Sequence, residues 1–121
     1  MNKIQEFAEA IKKHEGWFEG SRSWRNKNPG NLRYSKQKKC VGKDKDGFAI
    51  FSTFEAGLEA LYHQITIACD GRSKVYTPND TIYDFFAKYA PSWDNNNSGK
   101  YAEYVSKELD IDPHSPIKEL L

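Results

Sequence analysis

Most of what this 121-residue chain lacks bears directly on what it can be. Cysteine is scarce: Cys40 and Cys69 are the only two, too few for a disulfide framework. They can pair if the fold brings them together, or stay reduced as small apolar residues. No CxxC occurs, and His14, His63 and His114 are scattered, so no metal site and no cofactor are expected. Asp44-Lys45-Asp46-Gly47 lacks the further spaced acidic ligands and terminal glutamate of a calcium loop. No glycine-rich phosphate loop precedes a lysine, and no serine or cysteine stands in a nucleophile setting. Long apolar runs are also missing, so stable membrane insertion is not expected. No apolar h-region follows Met1, which leaves open action where the chain is made, export by another agent, or a trimmed start. Nor does one sign of charge dominate. Eighteen basic residues against seventeen acidic ones leave a net charge of +1, which argues against a dedicated nucleic-acid binder.

Aromatic residues are plentiful, at 14% of the chain. Each buries roughly 150–250 Å², so they can supply a core that the modest aliphatic content does not. The length fits one domain, residues 1–121, expected as a monomer. One local charge excess runs from Arg33 through Lys36, Lys38, Lys39 and Lys43 to Lys45. It reads as a solvated hairpin or as a patch attracting an anionic polymer.

Ile4, Phe7, Ala8 and Ile11 follow helical spacing, which predicts an amphipathic helix over 3–14 with Gly16 as its stop. The polar stretch from Glu19 to Asn31 reads as an ordered loop. Leu32–Ser35 and Phe48–Phe51 read as two strands joined by a turn at Asp44–Gly47. Ser52-Thr53-Phe54-Glu55 reads as a capping box, opening a helix with Leu58, Leu61, Tyr62, Ile65, Ala68 and Cys69 on one stripe and Gly71 at its end. A further helix is expected over Asn79–Tyr89, closed by Pro91. Another is expected over Ser98–Leu109, then a short turn from Ser115-Pro116 to Leu121. The sum is mainly α, with four to five helices and one small β-hairpin.

Chemistry concentrates at Glu15, at the end of the first helix in Lys13-His14-Glu15-Gly16-Trp17-Phe18. A carboxylate held among aromatics is disfavoured in its charged form by desolvation, which suits a general acid. Asn28-Pro29-Gly30-Asn31 is first of all a turn: proline presets one φ and glycine permits a positive one. Its asparagine amides and Arg33 can also face a ligand. Tyr89 and Tyr101 sit at core spacing, and Asn95, Asn96 and Asn97 form either a turn or a polar ligand surface.

This order of elements resembles the lysozyme-like superfamily, especially lytic-transglycosylase-like domains and small virion-associated phage muralytic proteins. The resemblance rests on Glu15-Gly16, Asn28 to Arg33, Gly47 to Phe51, Glu55 to Leu61, and Tyr89-Ala90-Pro91 with the asparagines and Tyr101. It covers nearly the whole chain. It implies an α+β lysozyme-like fold with an active cleft between hairpin and helical part. It further implies a cell-wall glycosidase that cleaves the β-1,4 bond of peptidoglycan glycan strands, as lytic transglycosylase or as hydrolase (muramidase), at the bacterial wall or periplasm. Glu15 would be the catalytic acid, and then the base that activates the muramyl 6-hydroxyl in the transglycosylase case. Asn28, Asn31, Arg33, Tyr89, Asn95 and Tyr101 would line the sugar site, with Tyr89 beside the glutamate or the acetamide. Hydrolytic relatives use a second carboxylate, about 5–5.5 Å away for retention and roughly 6.5–9.5 Å for inversion; Glu19, Asp46 and Asp94 are the candidates. Glycine follows Glu15 where lytic transglycosylases usually have serine, and no Gly-Leu-Met-Gln signature occurs, so the subclass stays open. The alternative is a non-catalytic glycan-binding or phage structural protein of the same fold. Nucleic-acid binding by the basic hairpin is the third reading.

Overall fold

The apolar stripe of the N-terminal segment forms helix α1, Lys3–His14, in the computed structural model, which describes residues 1–91 and 97–121. Its start is set by a reciprocal cap that the spacing rules passed over. Asn2 Oδ1 accepts from the Gln5 amide at 2.8 Å, and Gln5 Oε1 accepts from the Asn2 amide at 3.0 Å. Phe7, Ala8 and Ile11 are fully buried. Gly16, at φ +79°, turns the chain out of the helix. The remaining elements are α2 (Arg22–Arg25), β1 (Cys40–Lys43), β2 (Ala49–Phe51), α3 (Phe54–Asp70), α4 (Ile82–Tyr89), α5 (Ser98–Leu109) and a 3-10 turn at Ile117–Leu120. Five helices and one two-stranded antiparallel sheet among the described residues make the fold mainly α with a small β element. No helix among these residues is long and apolar enough to cross a membrane.

The chain clusters into two compact units, Ile11–His63 and the pair of segments Met1–Ala10 and Gln64–Leu121. Within Ile11–His63 the stretch read as a plain polar loop contains α2, one helical turn whose cap Ser21 accepts from the Trp24 amide at 3.3 Å. The hairpin differs from expectation in its first strand. Ala49–Phe51 pairs with Cys40–Lys43, in the register Cys40 to Phe51, Gly42 to Ile50 and Lys43 to Ala49. The segment 32–35 contributes only an isolated bridge between Arg33 and Phe48. The turn explains this. Asp44 Oδ1 accepts from the amides of Asp46 and Phe48, each at 2.9 Å, and the Asp44 amide donates to the Phe48 carbonyl at 2.8 Å. A closure that tight pairs the residues immediately flanking it, so β1 must directly precede Asp44.

Helix α3 is capped by Thr53, whose Oγ1 accepts from the Ala56 amide at 3.0 Å. The expected cap, Ser52, still belongs to the hairpin, because its amide donates to the Lys39 carbonyl. The cap is therefore shifted by one residue, and the expected reciprocal box is lost, because the residue three beyond Thr53 is Ala56, whose side chain cannot accept a hydrogen bond. Gly57, one turn into α3, lies against the loop that precedes the hairpin. A β-carbon there would fall 2.0 Å from the Lys27 carbonyl oxygen and 3.0 Å from Pro29 Cδ.

In the other unit an aromatic cluster fills the core. Phe7 meets Phe85 edge-on at 5.4 Å and stacks near Phe86 at 5.6 Å, Tyr76 stacks on Phe85 at 4.6 Å, and Tyr101 stacks on Phe86 at 4.3 Å. Helix α4 begins three residues later than its spacing suggests. Asp80 is occupied in a turn with Thr77, and Thr81 with Asp84 forms the capping box instead. Helix α5 has the expected bounds and ends at Asp110 in the left-handed region.

Candidate functional site

Glu15 lies one residue past the last helical position of α1, its amide still bonded to the Ile11 carbonyl at 2.9 Å. Gly16 follows at once, so the carboxylate sits where the chain leaves the helix, half-buried. Asn31 Nδ2 donates to Glu15 Oε1 at 3.2 Å. That bond ties the helix end to the Asn28-Pro29-Gly30-Asn31 turn. Asn31 adopts φ +49°, a left-handed conformation that asparagine tolerates better than most side chains, and its amide closes the turn on the Asn28 carbonyl at 3.0 Å. Its Oδ1 is buried and has no hydrogen-bond partner among the described residues. Beside the helix end, Trp17 packs against Phe54 at 5.0 Å, and the Lys12 ammonium lies over the Phe54 ring. Burial pushes the His14 imidazole below its ordinary range, while the adjacent Glu15 carboxylate pulls the other way.

The other expected site residues have distinct placements. Asn28 is fully buried. Its Nδ2 donates to the carbonyls of Leu32 and Ala49, each at 3.0 Å, and its Oδ1 accepts from the Leu32 amide at 2.9 Å. Its side chain fastens the turn to β2 and presents nothing to solvent. Arg33 is exposed, its guanidinium 4.2 Å from the Phe48 ring centre and donating to the Asp46 carbonyl at 2.9 Å. Arg22 lies over the same ring at 4.4 Å and pairs with the Asp46 carboxylate at 3.3 Å. Of the possible second carboxylates, Asp46 is thus engaged by Arg22, and Glu19 is exposed on the loop. In the other unit Tyr101 is a core residue at 1% exposure, and Tyr89 is half-buried and stacked on Phe85 at 5.4 Å. Asn95 and Asp94 lie outside the described residues.

The structure therefore joins Glu15 and Asn31 directly and brings Asn28 and Arg33 in as neighbours along the same turn. Two residues that organise this region were not singled out by sequence reasoning. Asn26 is 7% exposed and its Nδ2 donates to Asp44 Oδ2 at 2.9 Å. Gly57 lets α3 approach the Lys27–Pro29 backbone. Neither carries a spacing signal, because both contacts cross between elements.

Both cysteines are free thiols. Burial, together with the neighbouring Asp70 charge, pushes the Cys69 thiol up to about 12, so it stays protonated and inert. No group of three or more His, Cys, Asp or Glu residues placed to hold a metal occurs among the described residues. Comparison of the chain with protein-family models, with curated proteins and with solved structures finds no match.

Proposed function

We propose that this protein cleaves the β-1,4 glycosidic bond of peptidoglycan glycan strands, with Glu15 as the catalytic acid and then the base. The observation that carries the reading is the hydrogen bond from Asn31 to the Glu15 carboxylate. It positions a solvent-reaching carboxylate at a helix end against the Asn28–Asn31 turn, and positioning is the first requirement of an acid–base group. In the proposed reaction Glu15 protonates the bridging oxygen as the C1–O bond breaks and positive charge builds on the muramyl ring. The carboxylate left behind takes the proton of the incoming hydroxyl. If that hydroxyl is the sugar's own 6-OH, a 1,6-anhydro ring closes and no water is consumed; if it is water, a reducing end forms. Asp46, paired to Arg22, is the weakest of the three candidates for a second carboxylate.

Glu15→Gln tests this. It should abolish clearing of a cell-wall suspension, a loss of about 10²–10⁴-fold for general acid–base assistance, while thermal unfolding stays nearly unchanged. Retained clearing rejects Glu15 as the acid. Mass spectrometry of the products then separates an anhydro-muramyl end from a hydrated one.

A further inference from the structure

The charge of this chain is not evenly spread. Ile11–His63 carries eleven Lys and Arg against six Asp and Glu, net +5, whereas the remaining residues carry seven against eleven, net −4. Within the basic unit the excess gathers on the segment that runs from Arg33 into β1 and its turn, where Lys36, Lys38, Lys39, Lys43 and Lys45 are all exposed. Two of these adopt a conformation that costs a side chain: Lys36 has φ +59° and Lys39 has φ +61°. Glycine or asparagine is the low-cost residue at such positions. The loop is not slack either. Gln37 Nε2 donates to the Arg33 carbonyl at 2.7 Å, Gln37 Oε1 accepts from the Ser35 amide at 2.9 Å, and the Gln37 carbonyl accepts from the Cys40 amide at 3.1 Å. Its far end is held by the Ser52 amide on the Lys39 carbonyl. Strained lysines on a braced loop point to a use for their charge rather than for their backbone. Among the described residues the ammonium groups of Lys36, Lys38 and Lys39 have no carboxylate partner.

We propose that this loop is a binding surface for a polyanion, and that its partner is a polysaccharide strand bearing carboxylates. The choice of polymer rests on the function proposed for Glu15; the polyanion surface does not. Two observations, the engaged Arg33 and the continuity with Glu15, favour a carboxylated glycan over nucleic acid, and a third, the exposed aromatic, is compatible with both. Arg33, the segment's one guanidinium, is held on the Phe48 ring and the Asp46 carbonyl, so forked recognition of phosphate is replaced by lysine point charges. Tyr34 and Val41 are exposed, and the Lys43 ammonium lies 5.5 Å from the Tyr34 ring centre, which places an aromatic face beside the cations where a sugar can stack. Asn31-Leu32-Arg33 also leads straight from the residue bonded to Glu15 into the loop.

Co-sedimentation of the full chain with purified peptidoglycan sacculi tests this, with one batch native and another with its carboxylates amidated. The Glu15→Gln background keeps the strands uncut. Lys36→Gly with Lys39→Gly should weaken binding about two- to fivefold per lysine at low salt, with the melting temperature held or raised because strain is relieved. Lys36→Arg with Lys39→Arg should restore binding, and amidated sacculi should lose it for every variant. If the glycine pair lowers the melting temperature, Lys36→Gln with Lys39→Gln removes charge while keeping the β-carbon and reads affinity alone. Unchanged binding by the neutral variants, equal binding to amidated sacculi, or tighter binding to a DNA duplex or polyphosphate overturns the proposal. Clearing that survives Glu15→Gln rejects the acid at position 15 and leaves the surface standing. Clearing that is lost while the lysine variants bind normally removes the surface alone.

Discussion

Asn28 and Asn31 stand three positions apart in one turn with different surroundings. The carboxamide of Asn28 makes three internal hydrogen bonds at zero exposure, whereas that of Asn31 reaches a carboxylate and leaves an acceptor oxygen without a partner among the described residues. Both were read from the sequence as ligand contacts. The difference is invisible there, because the residue type and the local turn chemistry are the same. Asn28→Ala would take the side-chain partner from the buried Ala49 carbonyl and Leu32 amide, while the Leu32 carbonyl keeps its bond from the Ala49 amide. Each such group costs about 1–3 kcal/mol, reduced where backbone or water can readjust, so a loss of about 2–4 kcal/mol is expected from chemical denaturation. A change below about 0.5 kcal/mol would show that the turn holds without its side-chain fastener.

Among the elements, the first and last long helices were legible to within a residue or two, because their apolar spacing and, for α1, the stop at Gly16 agree with the observed bounds. The hairpin was half legible. Its turn and second strand follow from Asp44–Gly47 and the apolar run after it, but the first strand, Cys-Val-Gly-Lys, is short and half polar, and its identity depends on what the turn brings opposite. Helix α3 gives a sharper case. By helix propensity alone, Gly57→Ala should stabilise by about 1 kcal/mol. The β-carbon would instead lie 2.0 Å from a backbone oxygen, and backbone cannot step aside as a side-chain tip can. The expected outcome is a net destabilisation of about 2–3 kcal/mol, since overpacking outweighs propensity. Thermal denaturation reads the sign directly, and a rise in melting temperature would mean that the Lys27–Pro29 loop relaxes freely.

For the whole molecule, the titrating groups set a pH window. Asp44 loses solvation by burial, but hydrogen bonds from Asn26 and from the Phe48 and Asp46 amides, with the Arg22 charge, outweigh that and hold it below the usual carboxylate range. Asp80 behaves alike, with its burial outweighed by Lys88 at 2.7 Å and by Thr77. For both, the unfolded chain takes up its proton first as pH falls. Their contribution is present above about pH 4, the ordinary carboxylate value, and is lost as pH drops through the lower folded values. Burial also raises two groups at the other end: Tyr76 to about 12, with a smaller push from Asp80, and Cys69 to about 12. There the unfolded chain releases its protons first, so stability falls once pH exceeds the ordinary thiol and phenol values, about 8.5 and 10. His14, held low by burial, adds a decline that starts as pH falls through the ordinary imidazole value, about 6.5. A melting-temperature profile should therefore be highest between there and about pH 8.5 and decline on both sides. Tyr76→Phe should make the alkaline limb shallower and leave the acid limb unchanged; an unaltered alkaline limb would exclude Tyr76 as a contributor.

The sequence by itself determined the helices other than α2, the turn at Asp44–Gly47, the aromatic origin of the core and the place of Glu15 at a helix end, since these follow from periodicities and turn chemistry acting over a few residues. Only the tertiary structure decided that Gly57 is a point of backbone contact, that Asn28 is buried, and that Asn31 meets the Glu15 carboxylate. Each of those outcomes depends on which distant segments come within a few ångströms of one another, and no local rule encodes that.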